Sequence, residues 1–185
     1  MDKKFLPMLF AVLFFLMFAF GLRAGSDKDF SPYADNQGHI RLPRDYRAAW
    51  SYLGAFVVPD EKAEGYGFHD VFTQPSTVKA YKETGKYPDG AVLVKEIRTV
   101  KTGKMTTGEA SWAGDIKAWF VMVKDAQGRF KGNPNWGDGW GWAKFNVDAP
   151  NATITKNYKT ECIGCHSPVK NTDFIHVEGY PQVRN

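Results

Sequence analysis

Phe5–Leu22 is an unbroken run of 18 uncharged residues, with Lys3 and Lys4 before it and Arg23 after it. Downstream, apolar residues recur at short spacings among polar ones. Tyr46, Ala49, Trp50 and Leu53 follow Pro43 at helical spacing, which predicts a helix through about Leu53. Gly65–Gly67 reads as a turn and Phe68–Thr73 as a strand. A helix opens at Pro75, runs from Val78 to about Thr84, and is closed by Gly85. The Asp89-Gly90 turn precedes a β-rich run, Ala91–Val100, and Thr102–Ser111 is polar and reads as flexible. Lys117–Asp125 and Trp140–Val147 are strands by composition. A short helix is expected around Glu161–His166 and a last short strand over Phe174–Glu178. Strands separated by short helices, without strict alternation, predict an α+β fold: a single domain with a mainly antiparallel β-sheet and a few short helices.

The first run changes the domain count. Lysines, then an apolar stretch, then Arg23-Ala24-Gly25-Ser26 is the order of a secretory signal cut after Ala24. An uncleaved anchor is the alternative, because 18 apolar residues is also about the shortest membrane span. Residues 1–24 are therefore assigned to a signal peptide or anchor, 25–40 to a polar arm and 41–185 to the folded domain. The expected location is the periplasm, soluble or anchored at the N-terminus. Without residues 1–24 the net charge falls from +4 to +2, and no run of basic residues remains. That balance argues against a nucleic-acid partner. A small molecule or a soluble electron carrier fits better.

Only two cysteines are present, which excludes a disulfide scaffold and a four-thiolate metal site. They stand in Cys162-Ile163-Gly164-Cys165-His166, the attachment pattern of haem c. On a helical turn, positions three and four apart share a face. Cys162, Cys165 and His166 then point one way, two thiols toward the haem vinyl groups and one imidazole toward the iron. A buried thiol pair or a redox Cys-x-x-Cys leaves the adjacent histidine unexplained. One covalent haem c per chain is expected, with His166 as the metal ligand.

A second strong axial ligand would indicate an electron carrier. Outside residues 1–24 the methionines are Met105, in the polar stretch, and Met122, in a strand. His69 and His176 are the other candidates, and His39 lies in the arm. None is well placed by sequence, so an open sixth position is expected. In Ala91–Ile97 the side chains alternate, so Lys95 shares an apolar face with Ala91, Leu93 and Ile97, opposite Val92, Val94 and Glu96. A lysine there either snorkels out at a sheet edge or faces the haem.

Taken together, these segments resemble the cytochrome P-460 family and its cytochrome c′-beta relatives. The resemblance runs over roughly residues 40–184. It is carried by Pro43-Arg44-Asp45-Tyr46-Arg47 with Trp50, Tyr81, Thr84–Gly90, Ala91–Glu96 and Gly114-Asp115. It continues through Val121–Asp125, Gly139–Trp142 and Phe145, the Cys-x-x-Cys-His motif, Asp173, Tyr180-Pro181 and Arg184. It implies an antiparallel β fold, a homodimer, His166 as proximal ligand and an open distal site. In the enzymatic members a lysine at the position of Lys95 is joined to a meso carbon of the haem, and the substrate is hydroxylamine.

One position departs from those members. Where they carry a distal glutamate this chain has Phe120, on a face with Ala118 and Met122. A phenyl ring cannot take a proton from a bound N–H substrate, and Asp115 and Glu96 are the other carboxylates to consider. An apolar cap resembles the gas-binding relatives. Three functions follow as expectations: oxidation of hydroxylamine or related nitrogen oxides, binding of nitric oxide or carbon monoxide without turnover, and electron transfer with a periplasmic donor or acceptor. Arg44 or Arg47 is expected to pair with haem propionates.

Overall fold

The computed structural model describes residues 30–184. The run at 1–24 and the start of the arm lie outside them. Helix α1 (Tyr46–Ala49) leads into strand β1 (Ser51–Val58), followed by β2 (Gly67–Thr73), α2 (Pro75–Thr84), β3 (Val92–Met105) and β4 (Gly108–Lys124). Then come β5 (Trp136–Gly137), β6 (Trp140–Asn146), α3 (Tyr158–Glu161), α4 (Ile163–His166) and a 3-10 turn over Ser167–Thr172. The strands form one antiparallel sheet in the order β1-β2-β3-β4-β6-β5. This is the expected α+β fold.

Both faces of the sheet are covered, and alternation along each strand divides them. Val92, Val94, Val121, Val123, Ala143 and Phe145 point to one side, where Ile40, Leu42, Tyr46 and Trp136 pack over them. Each of the four valines is fully buried, which stabilises the fold by about 2 kcal/mol per side chain relative to exposure. Leu93, Met122, Trp140 and Trp142 point to the other side, under α2, α3 and the C-terminal residues Phe174, Ile175, Tyr180 and Val183. Gly54 of β1 makes room for that C-terminal chain: its φ is +147°, and a Cβ there would overlap the Gly179 carbonyl.

Helix α2 is bounded as expected, with Pro75 in its first turn and Gly85 left-handed at its end (φ +69°). Three expectations differ. The helix from Pro43 to Leu53 stops after Ala49, because the chain from Ser51 onward pairs with β2. The spacing of Tyr46, Ala49, Trp50 and Leu53 fits one helical turn followed by a strand equally well.

The polar stretch 102–111 is not flexible loop but the far half of the β3–β4 hairpin. Thr102 pairs with Ser111, and their hydroxyls are 2.7 Å apart. Beyond Arg98 and before Ala118 this ribbon pairs with no third strand among the described residues, and its side chains are largely exposed. Phe174–Glu178 forms turns, not a strand. Residues 30–40, the described part of the expected polar arm, pack against the sheet edge. Ile40 is buried, Phe30 meets Phe130 and Trp136, and the Trp136 indole donates to the Gly38 carbonyl at 2.7 Å.

A charge is buried on the same face as the valines. Glu96 is fully buried, and Arg47 donates to both its oxygens at 2.7 and 2.6 Å. The Tyr46 hydroxyl donates to Oε1, and the Trp119 indole donates to that hydroxyl at 2.8 Å. Arg47→Met strands this carboxylate and is expected to lower stability by about 3 kcal/mol, read as a lower denaturation midpoint at unchanged slope. Adding Glu96→Leu should recover most of the loss, and a single variant as stable as the parent contradicts the assignment.

Candidate cofactor site

The Cys-x-x-Cys-His segment is set down on the sheet by its neighbours. Asn157 caps α3 through the Lys159 amide at 3.0 Å, and Glu161 accepts the amides of Lys156 and Asn157, each at 3.0 Å. Cys162 breaks the helix (φ −126°, ψ −46°), and Cys165 and His166 follow on α4. The thiols are unpaired; Cys162 is half-buried and Cys165 exposed. Burial, aided by the Glu161 charge, pushes the Cys162 thiol up to about 11.

His166 is held by one hydrogen bond. Its Nδ1 lies 2.7 Å from the Phe174 carbonyl oxygen. A carbonyl only accepts, so Nδ1 carries the proton and Nε2 keeps its lone pair. Among the described residues Nε2 has no hydrogen-bond partner. The ring stands edge-on to Trp142 at 4.9 Å between centroids, and Trp142 in turn stacks on Tyr158 at 6.0 Å and 9°. Burial, outweighing the carbonyl contact, lowers the imidazole pKa to about 4.

The carbonyl comes from an unusual turn. Asp173 and Phe174 both have left-handed backbone (φ 57° and 65°), a conformation that costs roughly 1–2 kcal/mol per non-glycine residue. Three contacts over-determine it. Lys124 Nζ donates to Asp173 Oδ1 at 2.7 Å, the Trp140 indole donates to the Asp173 carbonyl at 3.1 Å, and Lys124 lies 4.8 Å above the Trp140 ring. The left-handed pair also explains why this stretch is not a strand.

Lys95 is on this side of the sheet. Strand β3 is interior, so the edge-snorkelling alternative does not apply. Its neighbour on β4 is Phe120, and Lys95 Nζ stands 4.5 Å from the centre of that ring. Burial lowers the Lys95 pKa, against opposing contributions from charge on Cys165 and Cys162, and Lys144 pushes the same way as burial. The Lys95 charge also depresses His166. Lys95, Phe120, Cys162, Cys165 and His166 thus share one face.

The other candidates lie on another face or are held by other contacts. Glu96 is on the opposite face under Arg47, so neither serves there, and Asp115 is exposed on the ribbon beside Lys101 at 3.6 Å. Arg44 bonds the Asn151 side chain. Met105 is exposed at the ribbon tip and Met122 is core. His39 pairs with Asp35 at 3.0 Å, and His69 donates Nε2–H to the Gly65 carbonyl at 2.6 Å. His176 donates to the Cys165 carbonyl at 3.0 Å, 5.8 Å from the His166 ring, and so clasps the motif instead of facing it from across the sheet. Lys144, on β6 beside Phe120, is a member of the site that sequence reasoning missed. The alternation Trp140, Trp142, Lys144 was the available signal.

Two free thiols and an imidazole with a free Nε2, beside a half-buried phenyl ring on one sheet face, fit a covalently held haem. In haem-free protein His166 is expected to titrate near pH 4, below its ordinary 6.5. The unfolded chain then binds the extra proton first, so stability falls as pH drops from about 6.5 toward 4. Histidine NMR of a Cys162→Ala/Cys165→Ala variant checks this, and a midpoint near 6.5 contradicts it. The family profile described as Cytochrome P460 matches residues 43–177. No curated protein matches the chain.

Proposed function

The chain belongs to the cytochrome P460 family and is a haem-binding cytochrome; from that premise we propose that it is an exported mono-haem c protein whose open distal site acts on hydroxylamine or related nitrogen oxides. The observation that carries this reading is the place of Lys95, on an interior strand and on the face of the Cys-x-x-Cys-His motif, with Nζ 4.5 Å from the centre of the Phe120 ring. Bound there, the haem iron supplies one open coordination position and one-electron redox chemistry.

The chain's own residues divide the remaining work. Cys162 and Cys165 hold the group through thioether bonds, each thiol adding across one vinyl group. His166 Nε2 would be the proximal donor, and the Phe174 carbonyl, accepting the hydrogen bond from Nδ1–H, fixes the ring and raises its basicity as a ligand. Lys95 would contact the macrocycle or be joined to it at a meso carbon, a bond that replaces one N–H and the meso C–H, releases two protons and passes two electrons to an external oxidant such as a peroxide. Phe120 limits water on the distal side. His39 lies in the exposed arm beside Asp35, His176 sits on the His166 side of the motif, and the Nε2–H of His69 is held by the Gly65 carbonyl, which sets the electron-carrier reading behind.

A second reading has one observation in its favour. Phe120 replaces a distal base, and neither Glu96 nor Asp115 stands in for it. Binding of nitric oxide or carbon monoxide without turnover follows if no proton acceptor reaches the ligand. The partners proposed are a small nitrogen-oxide or gas ligand, a periplasmic electron donor or acceptor, and a second copy of the chain.

Mass measurement of the digested holoprotein is expected to find the Lys95 peptide joined to the haem peptide of Cys162–His166, and intact mass to start at Gly25. Hydroxylamine should deliver electrons to an added acceptor. No cross-link together with no electrons removes the enzyme reading. Phe120→Glu should raise turnover at least about tenfold, the scale of a general base, and an unchanged rate undercuts the distal-base argument.

A further inference from the structure

Apart from Lys104, exposed on the free ribbon, the other lysines on the described sheet have partners. Lys124 has Asp173 at 2.7 Å, Lys101 has Asp115 at 3.6 Å, and Lys117 donates to the Tyr66 carbonyl at 2.9 Å. Lys95 and Lys144 do not: among the described residues neither ammonium has a carboxylate or a hydrogen bond. They are brought together by register. Lys95 of β3, Phe120 of β4 and Lys144 of β6 form one row across three adjacent strands. Their Nζ atoms lie 4.5 and 5.4 Å from the centre of the same phenyl ring.

The chain holds Lys144 in place by its backbone. Its amide donates to Thr155 Oγ1 at 2.8 Å, and its carbonyl accepts the Ile154 amide at 2.8 Å and the Thr153 hydroxyl at 3.1 Å. Its charge reaches both Lys95 and Cys162, lowering the pKa of each. Glu161, whose charge acts on Cys162, has Oε1 engaged by two backbone amides. Two half-buried amines therefore flank one apolar ring, and among the described residues neither is paired with a carboxylate. The negative face of the ring offsets part of their repulsion. A small anion beside the ring would offset more, because charges at this separation are poorly screened where solvent is partly excluded.

We propose that Lys144, with Lys95, forms an anion-selecting subsite beside Phe120, which takes a small monoanionic ligand of the nitrite or azide type in preference to a neutral one of similar size. Lys144 is the test residue, since its ammonium stays free whether or not Lys95 is joined to the haem. The inference rests on the open distal position proposed above. It adds a charge specificity to that position and makes Phe120 a ring flanked by two amines instead of a purely apolar cap.

The test uses the ferric holoprotein and three probes, nitrite, azide and nitric oxide, followed by their haem absorption changes. Lys144→Gln is expected to weaken nitrite and azide about tenfold while leaving nitric oxide unchanged. Lys144→Arg should keep the parent's anion affinity, and added salt should weaken anion binding in the parent more than in Lys144→Gln. Equal anion affinity in parent and Lys144→Gln overturns the subsite, as does a parallel loss for nitric oxide. A shifted reduction potential with unchanged anion affinity also overturns it, by making Lys144 a partner of a haem propionate. A parent protein that binds none of the three probes contradicts the open position itself, whereas one that binds all three regardless of the residue at 144 contradicts only the subsite.

Discussion

One carbonyl, that of Phe174, sets the chemistry of the site. It accepts the hydrogen bond from His166 Nδ1–H and so leaves Nε2 as the nitrogen with a free lone pair. That carbonyl is where it is only because Asp173 and Phe174 adopt left-handed backbone. Such a turn would relax if it were unsupported. The Lys124–Asp173 ion pair and the Trp140 indole, both anchored in the sheet, keep it in place. The sheet thus reaches the motif through its own strand ends, and the Cys-x-x-Cys-His helix, only four residues long, needs little stability of its own.

The two faces of the sheet are used differently. One is closed by hydrophobic packing and by the buried Glu96–Arg47–Tyr46 network, so it is full. The other is closed at one end by Trp140, Trp142 and the C-terminal turns, and opens toward Lys95, Phe120 and Lys144. Alternation in β3 makes this division with a single step. Glu96 faces the structural side and Lys95 the chemical side, and the register on β4 then brings Phe120 beside Lys95. A one-residue slip in β3 would exchange the two roles.

Much of this was legible in the sequence, and the limits are physical. The motif, the boundaries of α2 and the cores of β2, β3, β4 and β6 are local signals of spacing, capping and alternation. The misread segments depend on distant partners. Ser51–Val58 is a strand because β2 lies alongside it, and the ribbon beyond Arg98 holds by backbone pairing with its side chains largely exposed. Phe174 needs an odd conformation for the sake of His166, eight residues earlier. The face of Lys95 could be read from period-two alternation, but its row with Phe120 and Lys144 required register across three strands, which no single segment encodes.

The central claim is that His166 is the sole protein ligand to the iron and that the opposite side is open. Resonance Raman spectroscopy of the ferrous holoprotein addresses it directly. The account predicts a five-coordinate, high-spin haem with an iron–histidine stretching band that disappears in His166→Gly and returns on adding imidazole. A six-coordinate, low-spin haem in the parent protein without added ligand would contradict it.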